Sequence, residues 1–153
     1  MHWTDSSPED ADAYIRPSKS SVLVVDDDVN AREMFALVLA MDGHPVRTAG
    51  DGEEALVVAE AFRPDVIFMD IEMPKANGYT ACQNLRKSRA LQNTRIYALS
   101  AVTGAAHERR CGEAGFDGRV SKPADPNCLA RLFDGAEGRA AARGSVTRRS
   151  QFD

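Results

Sequence analysis

The sequence predicts an α/β protein, a doubly wound five-stranded parallel sheet covered on both faces by five helices. Short apolar runs of strand type alternate along the chain with longer segments of helical period. That alternation is the signature of a parallel sheet with right-handed crossovers. Three of the strand-like runs also end in charge. Val22-Leu23-Val24-Val25 runs into Asp26-Asp27-Asp28, Val66-Ile67-Phe68-Met69 into Asp70, and Arg119-Val120-Ser121 into Lys122. In a parallel sheet such ends share one edge, and ligands bind outside that edge.

Each element has its own warrant. Residues 22–25 are apolar at every position, as a strand covered on both faces requires. Asp28 caps a helix over 29–41, with Ala31, Met34, Phe35, Val38 and Met41 expected inward and Gly43 as its stop. Residues 45–49 form a weaker second strand. Asp51 caps the next helix, whose apolar face is Ala55, Val58, Ala59 and Phe62, and Pro64 ends it. Residues 65–69 give the third strand and 79–88 a helix containing Ala81, Cys82 and Leu85. A fourth strand at 95–99 precedes a weakly amphipathic helix at 105–114, closed by Gly115, and a fifth strand spans 116–121. Asp125-Pro126, a cap followed by proline at the first helical position, opens a last helix with Leu129, Leu132 and Phe133 inward.

Composition narrows the classes of function. The chain has 153 residues, 43% hydrophobic and 27% charged, enough for a core of its own. A net charge of −4 argues against nucleic acid as the main partner. No apolar stretch approaches the roughly 18 residues that span a bilayer, and no secretory pattern opens the chain. No membrane partner is therefore expected. Cys82, Cys111 and Cys128 have no metal-site spacing, and their odd number fits reduced thiols in a cytoplasmic protein. Residues 1–19 read as a flexible leader, 20–134 as one folded domain, and 135–153 as a disordered basic tail.

A carboxylate at the end of an apolar strand costs desolvation free energy unless something offsets it. Several such acids meeting beside a lysine make a site suited to a divalent cation and a phosphoryl group. Each residue also has a plainer reading: Asp70 as a turn former, Ser100 as a strand terminator, Lys122 as a solvated lysine. His2, His44 and His107 lack ligand spacing and read as surface residues.

Four motifs in order reach a known family. Asp26-Asp27 after Val-Leu-Val-Val, Met69-Asp70 followed by Met73-Pro74-Lys75-Ala76-Asn77-Gly78, Leu99-Ser100-Ala101, and Ser121-Lys122-Pro123 resemble the receiver domain of two-component response regulators. The resemblance covers about residues 20–134. It implies a flavodoxin-like fold with strand order 2-1-3-4-5, Asp70 as phosphoacceptor, and a histidine kinase or histidine phosphotransfer protein as donor. It further implies Mg²⁺ held directly by Asp27 and Asp70, by Asp26 through water, and by the backbone carbonyl of Glu72. Lys122 and Ser100 would contact the phosphoryl oxygens, and the small Ala101 would leave room for the donor. Such a domain is not an enzyme, although it assists its own phosphorylation and dephosphorylation.

Two residues depart from the pattern. Arg119 stands three residues before the lysine, where receivers often carry Tyr or Phe, so a polar switch replaces the aromatic one in expectation. Glu72 adds negative charge beside the site. The responding surface is expected at residues 104–134, which would also carry any pairing of two copies. With a tail of about 20 residues, the expectation is a stand-alone receiver that switches an unidentified output protein or relays phosphate. Among rivals, a flavin- or nucleotide-binding protein is disfavoured by the acids of the first turn, which would repel a phosphate. A phosphatase using Asp70 with Glu72 as acid lacks a cap domain. A receiver that binds without being phosphorylated is disfavoured by the complete acid set.

Overall fold

The computed structural model describes residues 19–73, 77–102, 104–122, 129, 132 and 133. Five strands, β1 (Val22–Val25), β2 (Val46–Ala49), β3 (Val66–Asp70), β4 (Arg95–Ser100) and β5 (Gly118–Ser121), form one sheet in the order β2-β1-β3-β4-β5. All four pairings are parallel. Four helices connect them: α1 (Val29–Met41), α2 (Gly52–Phe62), α3 (Gly78–Arg86) and α4 (Ala105–Ala114). A short 3₁₀ turn at Arg89–Leu91, unforeseen from the sequence, follows α3. The opening of the expected fifth helix lies outside the described residues, as do residues 1–18 of the leader, the tail, the 74–76 turn and Pro123. Leu129, Leu132 and Phe133 are helical and buried, as that helix requires.

The period-2 alternation of the strands divides the core in two. One face collects Leu23, Val25, Ile67, Met69, Ile96 and Ala98 against α2, α3 and α4. The other collects Val22, Val24, Val66, Phe68 and Leu99 against Leu39 of α1 and Leu129, Leu132 and Phe133. β1 and β3 are buried on both faces because helices cover each.

Side chains and glycines place the boundaries. Asp28 accepts from Asn30 and Ala31 N–H at the start of α1, and Asp51 accepts from Glu54 N–H at the start of α2. Gly43 follows α1 with φ 98°, a left-handed conformation open to glycine. Gly78 begins α3 where a Cβ would lie 2.5 Å from the Ile71 Cα, so no larger residue fits.

The inward face of α1 is only partly the one expected: of the large side chains predicted inward, Phe35 alone packs there. Met34, Val38 and Met41 are exposed at 63%, 45% and 78%, while Leu39 is buried and Phe35 packs edge-on to Phe68. The helix is apolar on both sides, so periodicity alone could not choose between them. His44 also corrects its expected place. It is buried, donates from Nδ1 to the Ser20 carbonyl at 2.9 Å, and lies against the Phe133 ring, tilted by 34° with centroids 4.1 Å apart.

Candidate functional site

Parallel register sets the site. Val25 pairs with both Ala49 and Met69, Met69 with Ala98, and Ala98 with Arg119. The strands therefore end nearly level. The next residues are Asp26 after β1, Asp70 closing β3, Ser100 closing β4 and Lys122 after β5. Each charge reported from the sequence reaches the same rim because four strands stop together.

Carboxylate oxygens of Asp26, Asp27 and Asp70 lie within 4.8 Å of one another. Asp26 and Asp70 are each 3% exposed, whereas Asp27 is exposed. Burial, with the neighbouring Asp70 charge, raises the Asp26 carboxyl above its ordinary value, against the opposing bond from Asp28 N–H. Lys122 supplies the cation. Its Nζ is 2.8 Å from Asp70 Oδ2 and 3.7 Å from Asp26 Oδ2. Burial alone would lower the Lys122 ammonium, but the hydrogen bond and charge of Asp70, with Asp26 and Glu72, outweigh it and raise it. Three oxygen donors without a soft ligand suit a hard divalent cation. The fit is good in charge as well, since one ammonium faces three carboxylates.

The remaining residues sit on the β4–β5 side. Glu72 is exposed in the turn after β3; its N–H donates to Asp70 Oδ1 at 2.8 Å. Ser100 is fully buried, and its hydroxyl contacts Glu72 Oε2 and the Val102 carbonyl at 3.5 Å each. Val102 N–H donates to Ser100 Oγ at 3.0 Å, and Ala101 between them is exposed. Arg119 lies in the sheet row of Ala98, which turns it toward α4. Its Nη2 is 4.0 Å from Glu108 Oε2, and its Nη1 donates to Ser121 Oγ at 3.2 Å. The structure thus brings together every acid, the lysine and the serine expected from the sequence, and puts Arg119 at their α4 border.

Contacts between helices were not legible. Tyr79 Oη lies 3.0 Å from His107 Nδ1, and the Arg110 guanidinium covers the Tyr79 ring at 4.0 Å. Burial and the nearby Arg119 keep His107 below its ordinary pKa. Cys111, 3.8 Å from His107 Nε2, is pushed by burial to about 11 and is no nucleophile. Arg32, which holds the Asp26 carbonyl at 2.9 Å, was missed too. Its position one turn into the helix after the acids was the available signal.

Residues 22–134 match the family model described as response regulator receiver domain. The chain is 39% identical over 112 residues to the ycf27 protein of Cyanophora paradoxa, covering 73% of this chain and 46% of that protein. It is 33% identical over 111 residues to the DNA-binding response regulator MtrA of Mycolicibacterium paratuberculosis, covering 72% of this chain and 48% of MtrA. The chain spans about half the length of the curated relatives it matches. Among solved structures, the chemotaxis protein CheY4 of Vibrio cholerae superposes with TM-score 0.72 at 31% identity, over 77% of this chain and 98% of that one. The receiver domain of Francisella response regulator 1452 gives 0.69 at 28% identity, over 80% and 99%. With its fold, its strand order and its acid rim all accounted for, this chain belongs to the response regulator receiver domain family.

Proposed function

We propose that the domain is a Mg²⁺-dependent phospho-switch of two-component signalling. Asp70 attacks the phosphorus of a phosphohistidine on a histidine kinase or phosphotransfer protein. The O–P bond forms as the P–N bond breaks, leaving an acyl phosphate on Asp70 and a free imidazole on the donor. One observation carries the reading: a nearly buried Asp70 stands among two further carboxylates with Lys122 at 2.8 Å.

Asp27 and Asp70, Asp26 through water, and the Glu72 carbonyl would hold Mg²⁺. When bound, the ion offsets repulsion between the attacking carboxylate and the incoming phosphoryl oxygens. Lys122 releases Asp70 Oδ2 and takes a phosphoryl oxygen as a compact cation. Ser100 gives up its long contacts to Glu72 and Val102 and donates to another phosphoryl oxygen. Ala101 leaves the approach open. The new bonds favour the modified state, and Arg119 carries the change toward α4. Attack of water on phosphorus returns Asp70 and inorganic phosphate, so the domain assists its own reset without being an enzyme.

The reading includes a cytoplasmic location and a stand-alone receiver acting through protein contact, with 104–134 as output or pairing face. Similarity over 98% of the Vibrio chain supports it. No helix among the described residues is long and apolar enough to cross a membrane. A second reading, with the receiver governing an attached DNA-binding module, is favoured by relatives matched over less than half their length. The absence of a nucleic-acid partner would then hold for the receiver alone.

Intact mass after incubation with acetyl phosphate and Mg²⁺ tests the common core of both readings. One phosphoryl group should add to the unaltered chain and none to Asp70→Asn. Equal addition to both, or none to either, contradicts it.

A further inference from the structure

The acid turn after β1 is gripped from α1 by a side chain outside the reacting set. Arg32 Nη1 donates to the backbone carbonyl of Asp26 at 2.9 Å. That carbonyl and the amide nitrogen of Asp27 belong to one planar peptide unit. Holding the oxygen therefore sets the plane from which the Asp27 side chain departs. Asp26 is meanwhile fixed on its other side, its N–H donating to Ala49 O at 3.1 Å and its Oδ1 accepting from Asp28 N–H at 2.9 Å. The peptide joining two candidate metal ligands is thus immobilised before any ion arrives.

Arg32 is placed there at some cost. Its side chain is 17% exposed and its buried Nε has no hydrogen-bond partner among the described residues. Glu33 Oε2, 3.7 Å from Nε, belongs to a side chain that is 63% exposed and offers a screened counter-charge. A guanidinium desolvated this far, with its donors incompletely used, is a poor choice for stability alone. The end of β2 is shaped around it. A Cβ at Gly50 would lie 3.1 Å from Arg32 Nη1 and 3.5 Å from Glu54 Oε1, and Glu54 accepts from Gly50 N–H at 2.7 Å. A Cβ at position 50 would oblige the guanidinium to shift by a few tenths of an ångström against the carbonyl it holds.

We propose that Arg32 is a positioning residue for divalent-cation binding, orienting the Asp26–Asp27 peptide so that both carboxylates face Asp70. This rests on the metal-dependent reading above, but Arg32 touches neither ion nor phosphoryl group. A rival role, a nearby cation that softens repulsion among the acids, predicts a different pattern. Arg32→Lys keeps the charge without the fork, and Arg32→Met removes the charge but keeps an unbranched stem. Gly50→Ala leaves Arg32 in place and crowds it.

Calorimetric titration of Mg²⁺ into the full chain, with thermal unfolding and the Asp27 amide resonance of the metal-free protein, distinguishes these roles. Positioning predicts about tenfold weaker Mg²⁺ binding in both Arg32 variants, as for other residues that orient metal ligands, and a smaller loss in Gly50→Ala, with the Asp27 amide displaced before metal is added. Unchanged affinity in Arg32→Lys with equal or tighter binding in Arg32→Met overturns the inference. So does undisturbed affinity in Gly50→Ala. If the unaltered chain binds no Mg²⁺, the metal-dependent reading itself is lost, and the inference with it.

Discussion

The two sides of the acid rim are held very differently. Around the acids that end β1 and β3, Lys122 from beyond β5 meets Asp70 at 2.8 Å and Asp26 at 3.7 Å. Arg32 holds the Asp26 carbonyl at 2.9 Å, and the N–H groups of Asp28 and Glu72 donate to Asp26 and Asp70 at 2.9 and 2.8 Å. On the β4–β5 side, the Ser100 hydroxyl accepts from Val102 N–H at 3.0 Å but reaches its own acceptors, Glu72 Oε2 and the Val102 carbonyl, only at 3.5 Å. Arg119 bonds Ser121 Oγ at 3.2 Å, while its ion pair with Glu108 is 4.0 Å long. Charge-assisted bonds near 2.8 Å are the strong ones, whereas contacts of 3.5–4.0 Å contribute little and are readily exchanged. The first corner is built to react and the second to respond. A switch needs both properties, since a rim rigid throughout would transmit nothing and one loose throughout would not bind phosphorus.

Breaking the rigid corner should have the largest effect. Lys122→Met leaves Asp26 and Asp70 facing each other without their cation. Phosphoryl uptake from acetyl phosphate should slow about a hundredfold, the scale seen when one preorganised donor is lost. Rates measured by intact mass check it; uptake at the unaltered rate would break the distinction between the corners.

Loosening the responsive corner should matter less. Glu108→Gln removes the long ion pair with Arg119, worth about 0.2–1 kcal/mol for partly exposed pairs. Thermal unfolding should move by no more than that, and uptake at Asp70 should be unchanged. A large loss of uptake would mean that α4 helps build the reacting corner.

The smallest effect comes from outside both corners and sharpens the comparison by subtraction. Burial lowers the His44 imidazole below its ordinary 6.5, with the Ser20 carbonyl and Asp42 opposing and Lys19 assisting; the tilted Phe133 ring is neutral. Folding therefore favours neutral His44. Its contribution is complete above the unfolded value and is lost as pH falls through the lowered one. Metal-free unfolding midpoints should decline below about pH 6.5, and His44→Gln should reduce that decline, leaving the share of His107, which burial also holds below its ordinary value. A decline left undiminished by the substitution would show that His44 does not contribute to it.

Much of this was legible in the sequence because the fold and the site share one signal. Apolar runs that end in charge locate both the strands and the rim, and a parallel sheet converts sequence order into convergence. Caps at Asp28 and Asp51 were readable because they act within four residues. The inward face of α1 was legible only at Phe35, since Met34, Val38 and Met41 compete with Leu39 and only the sheet selects between them. His44 and the Tyr79–His107 contact escaped for the same reason, their partners lying 24 and 28 residues away. Long-range contacts leave no periodic trace.

Hydrogen–deuterium exchange of the Mg²⁺-loaded chain, before and after adding beryllofluoride as a phosphoryl mimic, tests the division of the rim most directly. The account predicts unchanged slow exchange in residues 22–26 and 66–69, with altered exchange concentrated at 100–102 and 105–119. Altered exchange confined to β1 and β3, with the β4–α4–β5 segment unmoved, would contradict it.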